Sequence, residues 1–140
     1  MMDGQPQADM TEQERNRRLV VQHFEDFVNN KDLEAIDRNM SEDFLDHDGP
    51  DGQPTDRDGD RAMMAAMHEA FPDLRVEVRA VVGDADMVVV RNVWTGTNAH
   101  TGQRMQFHGF VQWRIADGKI AERWATVTAP VELADATLRW

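Results

Sequence analysis

The sequence contains no cysteine. Thiolate nucleophiles, disulfides and Cys-ligated zinc are therefore excluded. Positive charge is scarce: 15 Lys and Arg stand against 26 Asp and Glu, a net charge of −11. Such a chain repels phosphate backbones, so no nucleic-acid partner is expected. No apolar run approaches the roughly 20 residues that a membrane-spanning helix requires, so no membrane partner is expected either. The opening residues MMDGQPQADM are polar and acidic, unlike a signal peptide, and a cytoplasmic location is the default. There is no internal repeat and no low-complexity segment. No two histidines show the i,i+4 spacing of a zinc motif, so no metal is expected. What remains is a chain of 140 residues. That length suits one domain and buries a core without disulfides or a structural metal.

Helical spacing comes first along the chain. Residues 1–10 read as a disordered lead-in. Thr11 and Glu14 fit a capping box, which predicts a helix over 12–29. Val20, His23, Phe24, Phe27 and Val28 recur on its buried face, where His23 reads as a packed or rim histidine. Asn29-Asn30-Lys31 breaks this helix, and Asp32 is placed to cap a short second one carrying Leu33, Ile36 and Met40. Residues 44–47, Phe-Leu-Asp-His, suit a short strand. An acidic segment follows, with Asp46, Asp48, Asp51, Asp56, Asp58 and Asp60. Asp56, Asp58 and Asp60 match the first three ligand positions of a calcium loop. Arg61 and Met67 then stand where that loop needs Gly and Glu. The segment therefore reads as a solvated loop whose acids start the next helix.

That third helix is expected over 58–71, with Met63, Met64, Met67, Ala70 and Phe71 on its apolar face and Pro72 after its end. A methionine stripe packs a core, and it also lines adaptable pockets for flat apolar ligands. From residue 74 the period becomes two. Strands are expected over 74–82 and 87–97 around a turn at 83–86, then a loop over 98–104. Helices followed by an antiparallel meander make an α+β arrangement. The domain spans 11–130, and 131–140 form a tail whose Leu138 and Trp140 are candidates for docking.

The last two strands, over 105–127, flank Asp117-Gly118, a strong type I′ hairpin signal. Alternation places Gln106, His108, Phe110, Gln112 and Arg114 on one face of the first strand. Ile120, Glu122, Trp124 and Thr126 share a face of the second. A carboxylate between Ile120 and Trp124, and a histidine beside Phe110, form a candidate acid–base pair if both faces line one cavity. Phe107, Val111, Trp113 and Ile115 occupy the opposite face of the first strand. Apolar residues on both faces predict a homodimer through the open side of the sheet.

Several words are more specific. Asp43-Phe44-Leu45-Asp46-His47, Ala70-Phe71-Pro72-Asp73-Leu74, Val89-Val90-Arg91 and, above all, the run from Arg114 to Trp124 (RIADGKIAERW) resemble the SnoaL-like polyketide cyclase and ester cyclase family. The order of elements resembles the NTF2-like fold, a cone of helices packed on a strongly bent antiparallel sheet that encloses a pocket. The resemblance covers about residues 15–128. It implies a cofactor-free enzyme that closes a ring by intramolecular aldol condensation, with one acid/base residue and an assisting histidine. Carried over, these fall on Glu122 and His108. The chain departs from the pattern at Thr128, where an acid is common, and in its short loop over 98–104. The implied partner is a small apolar or aromatic carbonyl ligand. Trp94, Phe110, Trp124, Arg91, His47, Met64 and Met67 are its expected binding residues.

Removing a C–H proton beside a carbonyl requires a base whose pKa lies near the working pH. Burial among Ile120, Trp124 and Phe110 is expected to raise that of Glu122, so that Glu122→Gln holds or gains stability. The competing reading pairs Glu122 with Arg91, Arg114 or Arg123 as a structural ion pair, Arg123 least of the three because it is adjacent and points to the opposite face. Two other functions stay open. One is non-catalytic binding of an apolar ligand. The other is hydrolase or hydroxylase chemistry as in relatives of this fold, which needs an Asp-Arg-Asp cluster; Arg91 is a candidate centre, but its acidic partners are not evident.

Overall fold

A computed structural model describes residues 10–133. Thr11 begins helix α1 (Glu12–His23) with the expected capping box: its hydroxyl accepts from the Glu14 amide at 3.1 Å, and the Glu14 carboxylate accepts from the Thr11 amide at 3.0 Å. Met10 belongs to the folded body rather than to a lead-in. It is buried, and its carbonyl accepts from Arg15 Nη1. The helix does not run unbroken to residue 29. It widens into a π-helical segment, Phe24–Asn29, so that the Asn30 amide bonds to the Glu25 carbonyl. The widened segment still buries Phe24, Phe27 and Val28, and such segments recur at functional sites. The short helix α2 (Ala35–Asn39) is entered through Asp32, whose side chain accepts from the Glu34 amide.

Strand β1 (Met40–Asp46) is longer than expected, and its first residue already pairs with Ile120. Helix α3 (Arg57–Ala70) is capped by the Asp56 carboxylate, which accepts from the Gly59 amide at 3.0 Å. Then come β2 (Arg75–Asp84), β3 (Met87–Thr97), β4 (Arg104–Ala116) and β5 (Lys119–Val127). The hairpin turn has φ of 51° at Asp117 and 74° at Gly118, the left-handed pair that a type I′ turn requires. The start of the tail is ordered: Val131–Glu132 forms β6 beside the first residues of β4. Leu138 and Trp140, and residues 1–9 of the lead-in, lie outside the described residues.

Among the described residues the sheet runs β1-β5-β4-β3-β2, with β6 added to β4. Every pairing is antiparallel except β1 with β5, which is parallel. The sheet is therefore mixed rather than purely antiparallel, and its curvature is that of an NTF2-like cone. Parallel pairing follows from the order of elements: β1 reaches the sheet from the helices, with no hairpin to reverse it.

The helices cover one face only. Phe107, Val111, Trp113 and Ile115 of β4 are buried there with Val88, Val90 and Trp94 of β3, against Val20, Phe24, Ile36 and Met64. Burying each large side chain contributes about 1.5–3 kcal/mol. At Gly109 the backbones of β4 and β5 approach closely. A Cβ there would lie 2.9 Å from Val127 Cα, so the bend needs glycine. His68 of α3 bonds through Nε2 to the Val28 carbonyl at 3.0 Å. Among the described residues no helix is long and apolar enough to cross a membrane.

Candidate active site

Register decides which face each candidate residue uses. Arg114 stands opposite Glu122, Gln112 opposite Trp124, and Phe110 opposite both Thr126 and Arg91. This set alternates with the buried residues of β4, so it lies on the outer face, away from the helices. Phe110 is 49% exposed there. Glu122 is bound by His47 Nε2 at 2.7 Å and by Arg114 Nε at 2.6 Å, and the His47 ring lies flat on Trp124 at 4.7 Å. The expected partner, His108, sits six positions along β4 from Arg114, about 20 Å away at strand rise. The structure thus does not bring Glu122 and His108 together, and neither faces the helices. Arg91, Phe110 and Trp124 share the outer face, His47 holds the end of β1 against it, and Trp94, Met64 and Met67 face inward.

The pKa expected for Glu122 is reversed in sign. The hydrogen bond from His47, then that from Arg114, holds its carboxyl below the usual carboxylate range. A depressed carboxylate pKa contributes stability above the unfolded value, and that stability is lost as pH falls through the folded one. Glu122→Gln is accordingly expected to lower Tm by a few degrees at pH 7, on the scale of a partly exposed ion pair. The deficit should close toward pH 3, in thermal scans at both pH values. A variant at least as stable as the parent at pH 7 would contradict this.

The chemistry-bearing cluster lies inside. Alternation along β1 turns Phe44 and Asp46 inward, and Asp46 is fully buried. Arg123, on the inward face of β5, binds both Asp46 carboxylate oxygens through Nη1, at 3.0 and 2.8 Å, while the Asp48 amide donates to Oδ1 at 2.9 Å. Asp60 comes from the first turn of α3, on the stripe that continues through Met63, Met64 and Met67. It is 4% exposed, hydrogen-bonds to Asp46, and leaves Oδ1 without a partner. Burial pushes its pKa up to about 8. The bond to Asp46 and that residue's charge act in the same direction, and Arg123 opposes them. Two carboxylates sharing one cation in a buried site cannot both ionise easily. Asp60 thus carries a proton at neutral pH.

These groups floor a funnel. A deep cavity of about 30 Å³ is lined by His23, Phe24, Asp60, Met64, Trp113 and Arg123. Above it, a wider mouth of about 350 Å³ is lined by Met63, Met67, Phe107 and Ala125. Met63, Met64, Trp94 and Arg123 border both. The funnel is apolar around a small acidic and cationic floor, as ligand pockets generally are. The acidic segment is therefore not wholly solvated, since two of its members are buried. An Asp-Arg-Asp cluster is present, centred on Arg123 rather than Arg91. Among the described residues no group of three or more His, Asp or Glu is placed to hold a metal ion.

The sequence holds a signal for this site. Asp60 precedes Met63, Met64 and Met67 by three, four and seven residues, which is core spacing for a charged residue. Arg123 alternates with Glu122, so placing one outside places the other inside.

A family model described as SnoaL-like polyketide cyclase matches residues 18–128. The chain belongs to the SnoaL-like polyketide cyclase family. The matched span contains His23, Asp46, Asp60 and Arg123. Solved structures of similar shape include AclR from Streptomyces galilaeus, named as a candidate hydroxylase. It is 25% identical with a TM-score of 0.75, over 84% of this chain and 91% of that one. IdmH from Streptomyces antibioticus, named as a candidate polyketide cyclase, is 27% identical with a TM-score of 0.73, over 80% and 91%. A SnoaL-like protein from Jannaschia sp. CCS1 is 23% identical with a TM-score of 0.75, over 89% and 91%, and supports the fold alone. No curated protein matches the chain.

Proposed function

We propose that this SnoaL-like protein is a cofactor-free proton-transfer enzyme acting on a carbonyl compound with an apolar or aromatic body, by aldol-type ring closure. One observation carries this reading: Asp60, at the floor of an apolar funnel, has its pKa pushed up to about 8 by burial and by Asp46. A general base works best with a pKa near the working pH, and perturbed groups in clefts mark functional sites. The acid/base role passes from Glu122 to Asp60, because Glu122 faces outward with a depressed pKa. In the reaction, the ionised form of Asp60, a minority at neutral pH that grows as pH nears 8, takes a proton from the carbon beside a carbonyl, and the C–H electron pair enters an enolate. The enolate carbon bonds to a second carbonyl carbon of the same molecule. The resulting alkoxide recovers the proton from Asp60. Arg123 and Asp46 hold Asp60 in place and set its proton affinity. The test is turnover of a polyketide-like keto ester by the parent protein and by Asp60→Asn. Undiminished turnover by the variant would refute the assignment, and saturable binding without turnover by the parent would favour a binding module.

Water addition is the second reading. It is favoured by the Asp46-Arg123-Asp60 cluster, with support from the hydroxylase name of one structural neighbour. Conversion of an epoxide to a diol, with no closure of the keto ester, would select it. The homodimer also stays a proposal. Half-exposed Phe110 and a shallow groove bordered by Val89, Phe110 and Trp124 on the outer face support it. Light scattering is expected to give twice the chain mass at micromolar concentration, and a clean monomer would remove the claim.

A further inference from the structure

The deep cavity holds more polar atoms than the Asp46-Arg123 pair accounts for. Three of the residues lining it have a buried side-chain atom with no hydrogen-bond partner: His23 Nε2, Asp60 Oδ1 and Trp113 Nε1. Buried polar atoms are almost always satisfied, so three around one cavity of about 30 Å³ call for an oxygen between them. That volume is close to the space of one water molecule, about 30 Å³, and so also suits one carbonyl oxygen.

The tautomer of His23 defines what the site offers. Asn39 Nδ2 donates to His23 Nδ1 at 3.0 Å, which leaves the imidazole proton on Nε2. The ring is held in that orientation. It stacks on Phe27 at 5.0 Å and meets Trp113 edge-on at 6.0 Å. Burial drives its pKa down to about 4, so it is neutral at working pH and keeps a single N–H. Trp113 Nε1 is a donor in every state. The unpartnered atoms are thus two fixed N–H donors and one carboxyl oxygen.

We propose that His23, with Trp113, is the orienting donor for the substrate. The His23 Nε2–H binds the carbonyl oxygen that reaches the deep cavity, which turns the neighbouring C–H toward Asp60. This inference rests on the proton-transfer reading and names the ligand's head: a single neutral acceptor oxygen on an apolar body that stays in the mouth among Met63, Met67 and Trp94. As the enolate forms, negative charge grows on that oxygen, where preorganised donors stabilise it most. His23 was expected only to pack. Its position on the buried stripe of α1 is as expected, and its unpartnered Nε2 beside Asp60 is what assigns the role.

The test uses binding rather than turnover, with two probes of one shape: 2-acetylnaphthalene and 2-ethylnaphthalene, followed by quenching of tryptophan fluorescence. The parent protein is expected to bind the ketone about tenfold tighter, the scale of one hydrogen bond to a donor otherwise left unsatisfied. His23→Phe, which keeps the ring stack on Phe27, should bring the ratio near one while binding of the hydrocarbon holds. His23→Gln, whose amide N–H replaces Nε2–H, should restore part of the preference. The parent preference should be the same at pH 5.5 and pH 6.5, because His23 stays neutral and Asp60 stays protonated across that range. A parent that binds both probes equally, or neither, overturns the inference, as does a His23→Phe variant that keeps the preference. Asp60→Asn separates the two claims. Lost preference in His23→Phe beside normal turnover in Asp60→Asn would uphold the donor and refute the proton-transfer assignment.

Discussion

Asp60→Asn is expected to lose about 10²–10⁴-fold in turnover, the usual contribution of a general acid/base, and yet to gain stability. The two effects share a cause. The native pKa of Asp60 is raised from 3.8 to about 8. Between those values the folded protein retains a proton that the unfolded chain has released, so stability falls as pH rises. The stability attached to this group is complete below about pH 4 and gone once pH has passed through the folded value near 8. An asparagine amide donates to Asp46 as protonated Asp60 does, and it has no charge to bury. The variant's advantage should therefore widen from pH 5 to pH 8 by on the order of 3 kcal/mol, since each pH unit between the two pKa values is worth about 1.4 kcal/mol. Thermal denaturation of both proteins at the two pH values measures it. A pH-independent difference would mean that Asp60 does not titrate in this range.

Arg123→Met should have the largest effect on the fold itself, a loss of about 3–5 kcal/mol, because it strands the fully buried Asp46 carboxylate. The methionine keeps most of the apolar stem that packs beside Trp113, whose ring centroid lies 5.7 Å from the guanidinium carbon. The loss is therefore electrostatic, and a double variant shows it. Adding Asp46→Asn should recover much of the stability, since no charge is then left unpaired. Failure of the double variant to recover would mean that Arg123 acts through packing rather than charge.

Much of the architecture was legible because its causes are local. The Asp117-Gly118 turn follows from two adjacent residues that accept positive φ. The capping box at Thr11 and the methionine face of α3 follow from spacing within a few residues. The family words sit on β1, β3 and the last hairpin, and they carried the NTF2-like fold correctly. The parallel pairing of β1 with β5 was not legible, because it joins residues about 80 positions apart with no turn to announce it.

The site was half legible, and the reason is geometric. Alternation sorts Glu122 from Arg123 and His108 from Phe107. It does not say which face the helices will cover. Glu122 faces outward in its bond to Arg114, and Arg123 faces inward against the buried Asp46. Distance failed in the same way. His108 and Glu122 lie on neighbouring strands, but hairpin register puts His47 and Arg114 on Glu122 and leaves His108 far along the strand.

By itself the sequence determined the order of elements, the hairpin turn, the helix starts, the family, and the exclusion of cysteine chemistry, since each depends on residue identity or on neighbours within a turn or two. Only the tertiary structure decided that His23 and Asp60 from two helices and Arg123 from a strand line one cavity, with Asp46 of another strand bound to Arg123 beside it. Their proton affinities follow from that meeting, because burial and the charge of a neighbour act over a few ångströms, not along the chain.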